Sequence, residues 1–237
     1  MIRFLCLNAF IAIHTIIFCL WAMLLSLFDK NGRLNRFYVH VPWSKTILWI
    51  CGIKVRVKGQ ENVSANIPYI FMCNHQSYFD IFAVLAYLPE DFKFILKQEL
   101  MKIPILGLAM RRAGHIGIER ANPGEAIRSM NAAVEKIKGG TSVLIFPEGT
   151  RSLDGRLQPF KKGGFNMAIK SGCEIVPVAI SNSCRIVTKG SLKINRGSFD
   201  IHFGKPISAK DYGRENMSVL MDRVREAMLD QMVESSL

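Results

Sequence analysis

The loop Asn74-His75-Gln76-Ser77-Tyr78-Phe79-Asp80 holds an imidazole and a carboxylate five residues apart. On one continuous helix that spacing puts the two side chains about 140° apart, on different faces. It brings them together if His75 ends a strand and Asp80 sits in the first turn of the next helix. Asp80 then accepts a hydrogen bond from one ring nitrogen and fixes the tautomer. The other nitrogen is left free as a general base near neutral pH. A blander reading stays open, because Ser77-x-x-Asp80 resembles a capping box in which the acid only satisfies helix-end amides.

A second loop, Glu148-Gly149-Thr150-Arg151-Ser152, follows the apolar run Thr141–Pro147 and precedes a basic stretch with Arg156, Lys161 and Lys162. Gly149 allows close approach of backbone amides to a ligand, Thr150 offers a hydroxyl, and Arg151 supplies a planar fork suited to phosphate. A carboxylate beside a bound phosphate is repulsive, so Glu148 is expected to pair with an arginine and fix its fork. No protein nucleophile accompanies these groups. There is no G-x-S-x-G elbow, and Cys73, in the strand before His75, reads as a core residue. The six cysteines form no C-x-x-C pair, and His75, Asp80 and Glu148 lack the clustered His or Cys partner that a metal site requires.

The elements that must carry these loops can be read from periodicity. Ile67–Asn74, Thr141–Pro147, Cys173–Ile180 and Phe199–Gly204 are short apolar runs of buried-strand length. Helices are expected from Ser77 to Leu88, from Pro123 to Gly139-Gly140, around Phe165–Lys170, and over Arg214–Glu234. Asn122-Pro123-Gly124-Glu125 gives the second of these an N-cap, a first-turn proline and an acidic third position. Strands alternating with helices predict an α/β fold, a mostly parallel central sheet flanked by helices, with its site at the carboxyl ends of the strands.

The 237 residues carry 31 Lys+Arg against 19 Asp+Glu, a formal charge of +12, with 49% hydrophobic residues. This excludes a disordered chain and favours anionic partners. The basic residues are dispersed and no helix-turn-helix, zinc-finger or RNP pattern occurs, so nucleic acid is not an expected partner. From Phe4 to Phe28 there is no formal charge. The stretch makes roughly 37 Å of helix against a ~30 Å hydrocarbon layer. Lys30, Arg33 and Arg36 follow it and only Arg3 precedes it. A membrane anchor is the expectation, with the catalytic domain on the cytosolic face of the inner (cytoplasmic) membrane. Val41–Ile53 is apolar but too short to cross, and Trp43 and Trp49 suit either an interfacial segment or an ordinary helix packed on the domain. The expected division is therefore an N-terminal membrane-seating helical hairpin, 1–55, and a catalytic domain, 56–237.

His75-x4-Asp80 and Phe146-Pro147-Glu148-Gly149-Thr150-Arg151 resemble the first and third signature blocks of the 1-acylglycerol-3-phosphate acyltransferase family. Gly117-Ile118-Glu119-Arg120 resembles the second block and Ile175-Val176-Pro177-Val178-Ala179-Ile180 the fourth. Lys97-Gln98-Glu99-Leu100 with Ile103-Pro104-Ile105-Leu106-Gly107 matches the spacer between blocks. The second block departs from the family pattern, with Ile118 and Glu119 where an aromatic residue and Asp are common. The resemblance implies acyl transfer from an acyl-CoA or acyl carrier protein thioester to a lysophospholipid acceptor at a membrane lipid surface, without a cofactor. His75 becomes the base and Asp80 its orienting acid. Arg120 and Arg151 become the phosphate ligands, and Glu148, Gly149, Thr150 and Lys97 further substrate contacts, with amides near Gly149 as oxyanion donors. A sister enzyme with another lysolipid acceptor, or a lipid thioesterase using water, would carry the same base.

Overall fold

A computed structural model describes residues 2–28, 33–65, 67–119 and 122–234. The chain begins with α1 (Ile2–Leu25), a single turn α2 (Arg33–Asn35), a wide turn over Arg36–His40, and α3 (Val41–Cys51). There follow β1 (Ile53–Lys58), β2 (Tyr69–Cys73), α4 (Phe79–Tyr87), β3 (Lys93–Lys97), α5 (Leu106–Arg112), β4 (Ile116–Ile118) and α6 (Pro123–Lys138). The chain continues through β5 (Val143–Ile145), α7 (Lys162–Ser171), β6 (Glu174–Ser181), β7 (Gly197–Phe203) and α8 (Met217–Glu234).

The seven strands form one sheet in the order β1-β7-β6-β2-β5-β3-β4. Only the β6–β7 pairing is antiparallel. The expected mostly parallel α/β architecture is what forms. β2 lies between β5 and β6, with Ile70 opposite Val143 and Cys73 opposite Val178. Every residue of β2 is buried because helices cover both faces of the sheet. Successive side chains alternate faces. Tyr69, Phe71 and Cys73 join Val84 and Leu85 of α4 in one core, while Ile70 and Met72 join Phe165 of α7 and Leu220 of α8 in the other.

α6 starts as its sequence predicts, the Asn122 side chain accepting from the amides of Gly124 and Glu125. α4 begins at Phe79 rather than Ser77, whose hydroxyl instead donates to the carbonyl of Val187 (3.1 Å). β1, β3 and β4 were not expected. β1 alternates buried and exposed positions along Ile-Lys-Val-Arg-Val-Lys at the edge of the sheet, and β4 has only three residues.

The N-terminal segments are packed on this frame. In α3, Ile47, Leu48 and Cys51 are buried while Trp49 remains 77% exposed. Both ends of α1 are tied to the same body. Arg3 donates to the carbonyls of Ile194 and Cys51, and Leu7 enters the α4-side core. Near the other end Cys19 and Ala22 pack on Ala109 of α5, and Arg112 reaches the Ser26 hydroxyl. α1 therefore lies along the domain instead of projecting from it. Its outer face exposes Leu5, Ile13, Ile17, Leu20, Trp21 and Leu24. The division expected at 55/56 falls inside β1, and residues from both sides of it share one core.

Candidate active site

The adjacent parallel strands β6, β2, β5 and β3 all point their carboxyl ends at one edge of the sheet. His75 follows β2, Glu148–Arg151 follow β5, and Lys97 ends β3, so sheet order alone gathers residues far apart in the chain.

His75 Nδ1 lies 2.8 Å from Asp80 Oδ2. The same Oδ2 accepts from the amides of Gln76 (2.6 Å) and Ser77 (2.8 Å), and Oδ1 accepts from the Ser183 hydroxyl. One fully buried carboxylate thus meets both the two backbone amides and the imidazole. The His75 ring stacks on Phe146 at a centroid distance of 4.0 Å, and its side chain keeps 15% exposure. With Nδ1 committed to Asp80, Nε2 is the ring nitrogen that Asp80 leaves open.

Glu148 corrects an expectation. It pairs with no arginine among the described residues. Its Oε1 accepts from the His75 amide (2.6 Å) and its Oε2 from the Gln158 amide (2.8 Å). Burial raises its pKa, and those two amide bonds partly oppose the shift. A second stitch runs from the Ser152 amide to the His75 carbonyl (2.7 Å). Glu148 is thereby a strut holding the two loops in register, buried at 3% exposure.

Gly149 holds the turn. Its own amide donates to the Phe146 carbonyl (3.0 Å), so it is committed within the turn. The residue must be glycine because φ is +72° and a Cβ would stand 2.9 Å from Lys161 Cε, whose stem crosses the turn. The amides of Thr150 and Arg151 make no hydrogen bond among the described residues. Thr150 Oγ1 accepts from Lys189 Nζ (3.1 Å), which also donates to the Arg151 carbonyl (2.9 Å). The Arg151 guanidinium stacks on the Tyr78 ring at 3.7 Å, and its buried Nη1 has no partner among the described residues. Arg120 lies outside the described residues.

These groups open on a cavity of about 600 Å³. His75, Lys97, Thr150 and Arg151 border it at the sheet edge, while Phe18, Ala22, Leu106 and Ala109 of α1 and α5 form an apolar wall. A row of rings runs beside it, from Phe146 to Phe94 (6.4 Å), His115 (5.5 Å) and His40 (5.6 Å). Sequence reasoning gave the two histidines no part. Burial lowers the His40 pKa to about 4, with the Lys93 and Arg36 charges adding to it. Burial, His40 and Lys93 likewise hold His115 well below its ordinary value. His115 Nδ1 accepts from the Phe94 amide (3.1 Å), so both rings are neutral members of a low-polarity wall. Cys73 is no nucleophile here: burial keeps its thiol protonated, and the thiol faces the Asn74 carbonyl (3.2 Å).

The His75–Asp80 pair and Arg151 thus stand at the edge of an apolar cavity, and the family model described as Acyltransferase matches residues 54–181. The chain is 35% identical over 208 residues to the chloroplastic 1-acyl-sn-glycerol-3-phosphate acyltransferase BAT2 of Brassica napus, covering 87% of this chain and 58% of that protein. It is 36% identical over 186 residues to the 1-acyl-sn-glycerol-3-phosphate acyltransferase of Saccharomyces cerevisiae, covering 77% and 61%. The crystal structure of the 1-acyl-sn-glycerophosphate acyltransferase PlsC from Thermotoga maritima superposes with a TM-score of 0.83 at 28% identity, over 98% of this chain and 96% of that one. The chain belongs to the acyltransferase family in which the 1-acyl-sn-glycerol-3-phosphate acyltransferases are found. It spans about half the length of curated relatives such as BAT2 and the Arabidopsis thaliana enzyme LPAT1 (58% and 51%).

Proposed function

We propose that this protein transfers a fatty acyl group from a thioester donor, acyl-CoA or acyl carrier protein, to the sn-2 hydroxyl of 1-acylglycerol 3-phosphate, giving phosphatidic acid. The observation that carries the reading is the His75–Asp80 pair (2.8 Å) at the same apolar cavity as Arg151, whose buried Nη1 has no partner among the described residues. His75 Nε2 takes the proton of the acceptor hydroxyl as its oxygen bonds to the acyl carbon. The C–S bond then breaks, and the imidazolium returns the proton to the departing thiolate. A positioned base of this kind contributes on the order of 10²–10⁴-fold. Asp80 supports the imidazolium electrostatically. The amides of Thr150 and Arg151, next to Gly149, are the donors available to the oxyanion. Arg151 and Arg120 hold the acceptor phosphate with Lys97 beside them, and the neutral wall of α1 and α5 receives an acyl chain.

Residues 1–55 are the membrane-seating element in this reading, with 56–237 as the catalytic domain. α1 lies in the interface plane with Leu5, Ile13, Ile17 and Leu20 in the lipid, an arrangement supported by its attachment to the domain at both ends. Localisation at the inner membrane, with the catalytic domain on the cytosolic face, belongs to the same proposal.

The test is an acceptor panel with one radiolabelled acyl donor. Label should appear in phosphatidic acid when 1-acylglycerol 3-phosphate is supplied. Label passing only to another lysolipid, or donor cleavage that ignores the acceptor, would replace the reading with the sister enzyme or the thioesterase. His75→Ala should remove nearly all turnover while both substrates still bind.

A further inference from the structure

The family match ends at residue 181, and the segment that follows it, 182–190 between β6 and β7, carries none of the signature residues. Yet this segment touches the site at three points. Asn182, at φ +71°, turns the chain as soon as β6 ends. Ser183, fully buried, donates its hydroxyl to Asp80 Oδ1. Val187 receives the Ser77 hydroxyl at its carbonyl, which anchors the turn before α4 (3.1 Å). Lys189 spans the Thr150 hydroxyl and the Arg151 carbonyl.

The partition of bonds on Asp80 shows what Ser183 does. Oδ2 serves His75 and two backbone amides, whereas Oδ1 has Ser183 as its hydrogen-bond donor. Remove that hydroxyl, and a buried oxygen loses its donor, leaving the carboxylate held through Oδ2 alone. It can then tilt about its Cβ–Cγ bond on the two remaining amide bonds, which loosens the Oδ2–Nδ1 geometry although every reacting group remains present. Lys189 works at the other loop. An ammonium carries three donors, and two are spent on Thr150 and Arg151, leaving the third for an anionic oxygen beside the guanidinium.

We infer that the 182–190 segment is a third loop of the active site, in which Ser183 is a positioning residue for the His75–Asp80 pair and Lys189 a further ligand for the acceptor phosphate. The inference rests on the proposed acyl transfer and assigns this segment its part in it.

Steady-state kinetics of the full chain in detergent-lipid micelles separate the two residues. Ser183→Ala removes only a hydroxyl, but the lost bond to a buried carboxylate should lower the melting temperature by a few degrees, so rates are compared at a temperature where both proteins are fully folded. Its kcat should fall about 10- to 100-fold, with both KM values within about twofold of wild type. Ser183→Thr, which retains the hydroxyl, should recover most of the loss, and Ser183→Cys serves in its place if threonine does not fold. Lys189→Met should raise KM for 1-acylglycerol 3-phosphate about tenfold, with KM for the donor unchanged and kcat within about threefold. A fully folded Ser183→Ala enzyme with wild-type kcat, or a rate loss that the folded hydroxyl- or thiol-bearing variant does not recover, overturns the positioning role. An unchanged acceptor KM in Lys189→Met overturns the phosphate contact. If the wild type makes no phosphatidic acid, or Asp80→Asn turns over normally, it is the acyltransferase reading that fails instead.

Discussion

Glu148→Gln tests the strut directly. In the native site the two carboxylate oxygens face two backbone donors, the amides of His75 and Gln158, at 2.6 and 2.8 Å. A glutamine side chain of the same shape offers one oxygen and one NH2 group, so one of those amides must meet a donor in a site of 3% exposure. Losing one charge-assisted bond costs ~1.5–3 kcal/mol. For a chain of this size, at ~2–4 °C per kcal/mol, the melting temperature should fall by about 3–12 °C. The loss falls on the His75 backbone, and a displacement of ~1 Å there is worth on the order of 10² in kcat. Thermal unfolding and initial-rate measurements on the same purified protein read both quantities. The pH dependence supplies a further check. Burial raises the Glu148 pKa above its ordinary 4.5 in the folded state. The native carboxyl therefore binds its proton more tightly than the unfolded chain does. Its contribution is fully present below pH 4.5 and is lost as pH rises through the native value. Glu148→Gln has no such titration, so the wild type's margin over it should narrow as pH is raised from 4.5. A variant with wild-type melting temperature and kcat would refute the strut, whereas a margin that widens with pH would show the two amide bonds outweighing burial.

Arg151→Ala should raise KM for the phosphorylated acceptor roughly 10- to 100-fold with a smaller effect on kcat, read from acceptor titrations at saturating donor. Ala109→Phe projects a ring between α5 and α1 into the cavity wall, and should depress turnover of long-chain donors more than of short ones in a chain-length series. Trp21 and Trp49, 43% and 77% exposed, should shift their fluorescence to the blue and be quenched by brominated lipid when anionic vesicles are added. Emission that ignores the vesicles would remove the membrane-seating role of α1 and α3.

Much of the site was legible because its chemistry is local. The five-residue interval from His75 to Asp80 spans one strand end and one helix start, so the carboxylate had few places to go. The Asn122 cap and the four core strands were readable for the same reason, as each is encoded within a few consecutive residues. β1 escaped because an edge strand with Lys54, Arg56 and Lys58 on one side shows no apolar run. β3 escaped because it begins and ends on lysine. Glu148 was misjudged because its partners are backbone amides of another loop, which no side-chain pattern announces. Ser183 had one faint signal, a Ser-Asn-Ser sequence at the end of a core strand.

By itself the sequence determined which groups can carry protons and charge, and that they sit where strands end. The alternation of short apolar runs with amphipathic helices requires a covered parallel sheet, and such a sheet offers one edge for loops. Tertiary structure alone decided that β6, β2, β5 and β3 lie side by side, because strand order depends on long-range packing rather than on neighbouring residues. That order sets Ser183, His75, Glu148 and Lys97 along a single edge. It also decided that α1 lies along the domain: apolarity fixes that a helix avoids water, while Arg3, Cys19 and Ala22 fix the surface against which it does so.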